Sequence, residues 1–315
     1  MLSSFGFEFI SKGYLAVDLF FSLSGFVMML SSAKYFTDSV NSKSYLTFML
    51  KRFARVYPVY LVIITIVFFY QRFSPLKTYF VSLPLMSAVF NKGHIIPAVW
   101  SLSAEWVIYL IFPFIALALN KYCSGSRNII TALAGVVILI LFRFDLNILD
   151  LSYHPFNGLQ PIMRCLGNYI LGIYAYQMVT SKAINKQPIK ILTSITAIGI
   201  IVLLFCNVPH AFFSLLFPIF IGLLYLDTGV VSRFLSSKIV YFLGLISYSL
   251  YLIHQFVLRF KGNALNILGH THLNQTNKLL AFNIMFIVTI VTLANLFYNF
   301  IEIPSQKYLK RRFQL

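Results

Sequence analysis

The sequence predicts an all-α, polytopic membrane helix bundle. Three observations carry that expectation: 59% of the 315 residues are hydrophobic, only 10% are charged, and the mean hydropathy is +0.82. Soluble domains carry roughly 25% charged residues, so this composition belongs to a chain solvated largely by lipid. No hydrophilic stretch exceeds about 25 residues, which is too short to fold as an independent globular unit. The whole of 1–315 therefore reads as a single integral membrane domain.

Nine apolar segments are long enough to be read as spans: 14–32, 56–71, 97–119, 129–144, 161–179, 189–206, 211–226, 239–258 and 279–301. A tenth stretch, 79–90, carries Pro84 in its middle and is expected to be interfacial or re-entrant rather than spanning. Sixteen of the 25 basic residues fall in one set of connections: Lys34 to Arg55, Lys121 and Arg127, Lys182 to Lys190, Arg233 and Lys238, and Lys307 to Arg312. The positive-inside rule then predicts a cytosolic C-terminus and an extracytosolic residue 1, although residues 1–12 lack a charged segment followed by an apolar one.

The formal net charge of +17 is split among short connections instead of forming a continuous face. That pattern argues against nucleic acid and for anionic lipid headgroups and an anionic cytosolic ligand. Cys123, Cys165 and Cys206 are far apart and show no CxxC pairing, so they read as packing residues. His94, His154, His210, His270 and His272 show no metal-ligand spacing, and no metal is expected. GxSxG, GxGxxG and Walker A patterns do not occur.

The candidate chemistry lies in polar groups within the apolar segments. Ser101, Glu105 and Tyr109 repeat at i, i+4, i+8 in a run that also holds Trp100 and Ser103, which stacks three polar groups on one helix face. A carboxylate near the bilayer centre costs roughly 2.5–3.5 kcal/mol on insertion scales, so Glu105 is the first functional candidate. Asp18, Ser22 and Gly25 form a second stripe, in which Asp18 suits either chemistry or a structural hydrogen bond. Ser247, Tyr251 and His254 form a third.

Lys51, Arg52 and Arg55 precede Pro58, which suits the first turn of the following helix. Two forked donors at i, i+3 suit phosphate, while a positive-inside anchor is the simpler alternative. Arg164 opens the fifth span, as an interfacial anchor or facing a polar cavity, and Glu302 with Pro304 reads as a span boundary.

Taken together these elements resemble the acyltransferase 3 family of membrane O-acyltransferases. The resemblance rests on 17–26 (VDLFFSLSGF), 51–58 (KRFARVYP), 100–113 with its WSLSxE element, the LGxxSYxLYLxH run ending at His254, and Glu302 with Pro304. It covers nearly the whole chain in the expected order. It implies a ten-span enzyme of the bacterial inner membrane that moves an acyl group, commonly acetyl from cytosolic acetyl-CoA, onto a glycan hydroxyl.

By that resemblance Arg52 and Arg55 match the family's RxxR pair, implicated in acyl-CoA use. The implied acceptor is a surface or exported polysaccharide such as O-antigen or lipopolysaccharide, or a lipid-linked precursor; acetyl-CoA is a co-substrate, and no permanently bound cofactor is implied. Family members also carry a first span with a catalytic His, and the chain begins after that point, so an N-terminally truncated domain is expected. An inactive acyltransferase-like scaffold, or Glu105 or His254 supplying the base, remain alternatives, as does a transporter for an anionic solute.

Overall fold

A computed structural model describes residues 12–71, 76–90, 95–123, 128–141, 159–180, 188–206, 208–209, 211–263, 266 and 274–313. The helices are α1 (Ala16–Ser32), α2 (Ser42–Tyr70), α3 (Leu76–Ser82), α4 (Ser87–Phe90), α5 (Val99–Tyr122), α6 (Asn128–Leu141) and α7 (Leu159–Thr180). They continue as α8 (Ile189–Phe205), α9 (Ala211–Leu226), α10 (Val230–Leu235), α11 (Lys238–Leu258) and α12 (Gln275–Phe297). A π-helical turn, Tyr298–Glu302, then joins α12 to α13 (Ile303–Phe313).

No strand occurs among the described residues, and the fold is the expected all-α bundle. Among the described residues, each of the nine apolar segments falls largely on a helix, with 142–144 outside the described residues. Five stretches, Lys12–Tyr35, Ser42–Tyr70, Val99–Tyr122, Lys238–Leu258 and Gln275–Phe313, are long and apolar enough to cross a membrane, and α6, α8 and α9 are shorter apolar helices. The 79–90 stretch breaks at Pro84 into α3 and α4, with Leu85 at φ 56° making the corner.

Contacts divide the chain into two compact units, Met1–Tyr45 with Ser103–Ser237 and Leu46–Leu102 with Lys238–Leu315. In the first, α7 is the central element, because its small residues let other backbones come close. A Cβ on Gly172 would strike the Ser22 carbonyl of α1, and one on Gly25 would strike the Tyr169 carbonyl of α7, so the two helices cross backbone on backbone. On another face Gly167 meets Leu139 of α6, and Gly135 of α6 meets Leu171.

Phe26, Ala175 and Ile221 form one core of this unit, and Leu15, Phe213 and Phe217 another. Helix ends are closed by side chains: Lys12 Nζ donates to the Leu204 and Cys206 carbonyls at 2.9 and 2.6 Å, and Asp227 accepts from the Gly229 and Ser232 amides.

The second unit is tied by aromatic hydroxyls reaching backbone. Tyr60 donates to the Ser82 carbonyl at 2.5 Å and Tyr248 to the Val56 carbonyl at 2.6 Å. Tyr70 packs its ring against Phe256 and Phe260. These contacts run α2 parallel to α11, while α12 lies antiparallel against α11, with Phe282 and Met285 near Phe256 and Glu302 near Ser249.

One expectation is corrected here. Pro58 does not open a helix but sits inside α2, which begins at Ser42, where the Asn41 side chain accepts the Ser44 amide at 2.8 Å. The polar and basic stretch after that cap is helical, so Arg52 and Arg55 lie within the helix. Pro58 leaves the Ala54 carbonyl without its intrahelical donor, which membrane helices tolerate.

Candidate functional site

In the α7-centred unit, the Glu105 stripe is realised in part. Tyr109 donates to Glu105 Oε1 at 2.6 Å across one turn of α5, and Ser24 Oγ of α1 lies 3.4 Å from the Tyr109 hydroxyl. With its own proton directed to the carboxylate, Tyr109 accepts from Ser24. Glu105 is half-buried, while Ser103 is fully buried. Trp106 sits edge-on to Tyr109 at 6.3 Å.

Asp18 and Arg164 meet each other. Arg164 Nε donates to Oδ1 at 2.8 Å and Nη2 to Oδ2 at 2.6 Å, and Asn168 Nδ2 adds a third donor to Oδ1 at 3.2 Å. Asp18 is only 1% exposed, so its carboxylate exists in this environment because the guanidinium fork and the amide satisfy it. Sequence spacing gave no sign of this pair, which is separated by 146 residues. Each carries its own signal in the sequence, Asp18 as a stripe member and Arg164 as a possible anchor.

The α11-centred unit holds the remaining candidates. Ala98, just before α5, is gripped at both polar atoms: its amide donates to Gln255 Oε1 at 2.9 Å and its carbonyl accepts from Tyr251 at 2.8 Å. The Tyr251 hydroxyl also lies 2.7 Å from Ser101 Oγ, so Ser101 turns to α11, with half-buried Trp100 beside it. Gln255 was not among the expected residues; its only signal was its place directly after the SYxLYLxH run.

His254 shares this turn of α11. Its Nδ1 meets the Tyr251 carbonyl at 2.5 Å, and a carbonyl only accepts. With Nδ1 donating to that carbonyl, the neutral ring keeps its lone pair on Nε2.

Arg52 and Arg55 project from α2, Arg52 half-buried with its guanidinium 5.6 Å from the Phe48 ring centre, Arg55 exposed. Among the described residues no carboxylate lies within 4.0 Å of Arg55. Tyr248, bonded to Val56, marks their level on α11. His254 lies six residues further on, roughly 9 Å along the helix axis.

Glu302 stands at the junction of α12 and α13 with its side chain buried. It is 5% exposed, accepts from Ser249 Oγ at 3.1 Å and from Gln306 Nε2 at 3.4 Å, and is reached by the charge of Arg55. A π turn inserts an extra residue per turn and re-aims side chains, and such turns recur at functional sites. Nothing in the linear sequence marks it.

Glu105 with Tyr109 and Asp18 with Arg164 thus belong to one unit, and Arg52, Arg55, Ser101 and His254 to the other. Among the described residues no group of three His, Cys, Asp or Glu side chains is assembled for a metal. Cys123 and Cys165 are buried, Cys206 is exposed, and all three are free thiols. His94, His154, His210, His270 and His272 lie outside the described residues, as do Arg127, Lys182 and Lys186.

Comparison with known proteins bears on the whole chain. The O-acetyltransferase OatA of Staphylococcus aureus (strain NCTC 8325 / PS 47) is 27% identical over 341 aligned positions, covering 95% of this chain and 54% of the relative. The peptidoglycan O-acetyltransferase OatA of Listeria monocytogenes (strain EGD-e) is 23% identical over 360 positions, covering 96% and 52%. The chain thus spans about half the length of the curated relatives it matches. No solved structure matches it. The family model described as an acyltransferase domain matches residues 3–297, and the chain belongs to that acyltransferase 3 family.

Proposed function

We propose that the protein is a membrane O-acetyltransferase that moves an acetyl group from acetyl-CoA to a hydroxyl of a cell-surface or exported glycan. The family match over residues 3–297 carries this reading, the names of the Staphylococcus and Listeria relatives support acetyl as the group, and the Listeria name supports peptidoglycan as one acceptor class. O-antigen, other exopolysaccharide and lipid-linked glycan are the other acceptors to compare.

In the reaction, the acceptor oxygen attacks the thioester carbonyl, the C–S bond breaks, and the hydroxyl proton passes through a base to the departing thiolate. Arg52 and Arg55 hold donor phosphates as forked cations. His254, with Nε2 unprotonated, supplies the base, and Glu105 is the second candidate for that role. The proposed setting is the bacterial plasma membrane with the C-terminus cytosolic, which puts the arginine pair on the side where acetyl-CoA is made.

The test expresses Arg52→Ala and Arg55→Ala chains, in a form competent for acetylation, and measures O-acetyl groups on host glycan by mass. Each variant should insert normally and lose acetylation by about tenfold or more, the equivalent of one lost charge-assisted contact. Full glycan acetylation in both variants would remove the arginine pair from the donor site.

A further inference from the structure

The α11-centred unit carries an unusual charge inventory. Its stretches, 46–102 and 238–315, hold fourteen of the 25 Lys and Arg residues but a single acid, Glu302. The helix directions gather many of those cations at one end. Tyr248 bonds to the Val56 carbonyl while Tyr70 packs on Phe256 and Phe260, so the α2 segment that carries Lys51, Arg52 and Arg55 lies at the end where α11 starts with Lys238.

The third helix arrives at the same end. Glu302 accepts from Ser249, next to Tyr248, and the π turn hands the chain to α13 there, so α13 continues past the level of Arg55. On α13, Lys307, Lys310 and Arg311 recur at i, i+3, i+4 and are exposed, with Arg312 beside them. Lys307 lies about 7 Å and Lys310 about 12 Å beyond Glu302 by helical rise. Among the described residues none of these α13 cations has a carboxylate within 4.0 Å. Like charges gathered from separate helices raise the local positive potential and favour an anion there.

We infer that α13 is a second phosphate-binding element for the same polyanionic acyl donor: the arginine pair of α2 takes the diphosphate, and Lys307, Lys310 and Arg311 take the separate ribose phosphate. This deepens the proposed acyl-CoA reading and rests on it. Acyl-CoA carries phosphate at two sites on one molecule, which suits two cationic elements at one end of the unit. A lipid-headgroup anchor explains a basic helix but does not call for its convergence with Arg52 and Arg55.

The test uses the full chain in nanodiscs of uncharged lipid. Equilibrium binding of CoA and of dephospho-CoA, which lacks only the ribose phosphate, is measured for the parent and for the Lys307→Gln/Lys310→Gln/Arg311→Gln chain. The parent should bind CoA about tenfold or more tighter than dephospho-CoA. In the variant that ratio should fall to near one, with dephospho-CoA binding within about twofold of the parent.

A preserved ratio in the variant overturns the role of α13 and leaves the arginine site standing. A preserved ratio together with lost thermal stabilisation by anionic phosphatidylglycerol makes α13 a lipid contact, which also overturns it. No binding of either nucleotide to the parent overturns the donor reading itself. Arg52→Ala should weaken both nucleotides alike, which separates the two subsites.

Discussion

In the unit built on α7, two buried charges meet each other: Asp18 receives Arg164 through two hydrogen bonds, and eleven basic residues stand against seven acids in its stretches. In the unit built on α11, fourteen basic residues face one acid, and the cations of α13 are exposed at an end of the unit. The first arrangement neutralises charge so that helices can close on one another; the second leaves the cations of α13 exposed at its surface. The polar residues of a membrane protein therefore divide by whether their counter-charge is supplied by the protein, and that division separates scaffold from ligand handling more sharply than burial does.

The packing of the two units sharpens the contrast, and the largest expected effect tests it. Gly172→Ala places a methyl on the Ser22 carbonyl, backbone that cannot swing away, so α1 and α7 must separate. It should cost about 3 kcal/mol or more, seen as a large drop in melting temperature or lost monodisperse protein. Gly244→Ala in α11 meets nothing within 4 Å and should instead stabilise by up to about 1 kcal/mol through helix propensity. Equal melting of the two variants would erase the distinction between a backbone-on-backbone crossing and an open helix surface.

The next effect concerns the ion pair. Arg164→Met strands a carboxylate that is 1% exposed, and breaking such a pair costs about 3–5 kcal/mol. The double variant Asp18→Leu/Arg164→Met should recover most of that loss and retain acetylation if the pair serves only to tie α1 to α7. A double variant that is stable but inactive would transfer Asp18 and Arg164 from scaffold to chemistry.

Much of this architecture was legible in the sequence, for identifiable reasons. Runs of Leu, Ile, Val and Phe expose helices wherever lipid must be faced, so the described parts of all nine apolar segments fall largely on helices. Helix beginnings were less visible: α2 starts at an Asn41 cap and α12 at an Asn274 cap whose side chain accepts the Asn277 amide at 2.8 Å, both in polar stretches that hydropathy passes over. The i, i+4 spacing correctly joined Glu105 to Tyr109, because that bond lies within one helix turn. Contacts such as Asp18 with Arg164, or Ser249 with Glu302, depend on which helices become neighbours, and a single chain read in order carries no record of that. The π turn that aims Glu302 inward is equally silent, since it depends on backbone register rather than residue type.

The smallest effect falls in the α11-centred unit, where the proposed base His254 stands beside contacts that hold the start of α5. Tyr251→Phe removes the hydroxyl that meets both the Ala98 carbonyl and Ser101 Oγ, while Ser101 keeps its own 3.3 Å contact to that carbonyl and Gln255 keeps the Ala98 amide. Losing one hydroxyl among remaining partners costs about 1 kcal/mol, so melting should fall by only a few degrees. The His254 tautomer is set by the Tyr251 backbone carbonyl, which the substitution leaves in place, so acetylation should stay within a few-fold of the parent. His254→Gln, by contrast, should abolish turnover if Nε2 is the base. A Tyr251→Phe chain that melts like the parent yet loses turnover as completely as His254→Gln would mean that the hydroxyl itself handles the acceptor proton, and the start of α5 would then belong to the reaction rather than to the framework that holds it.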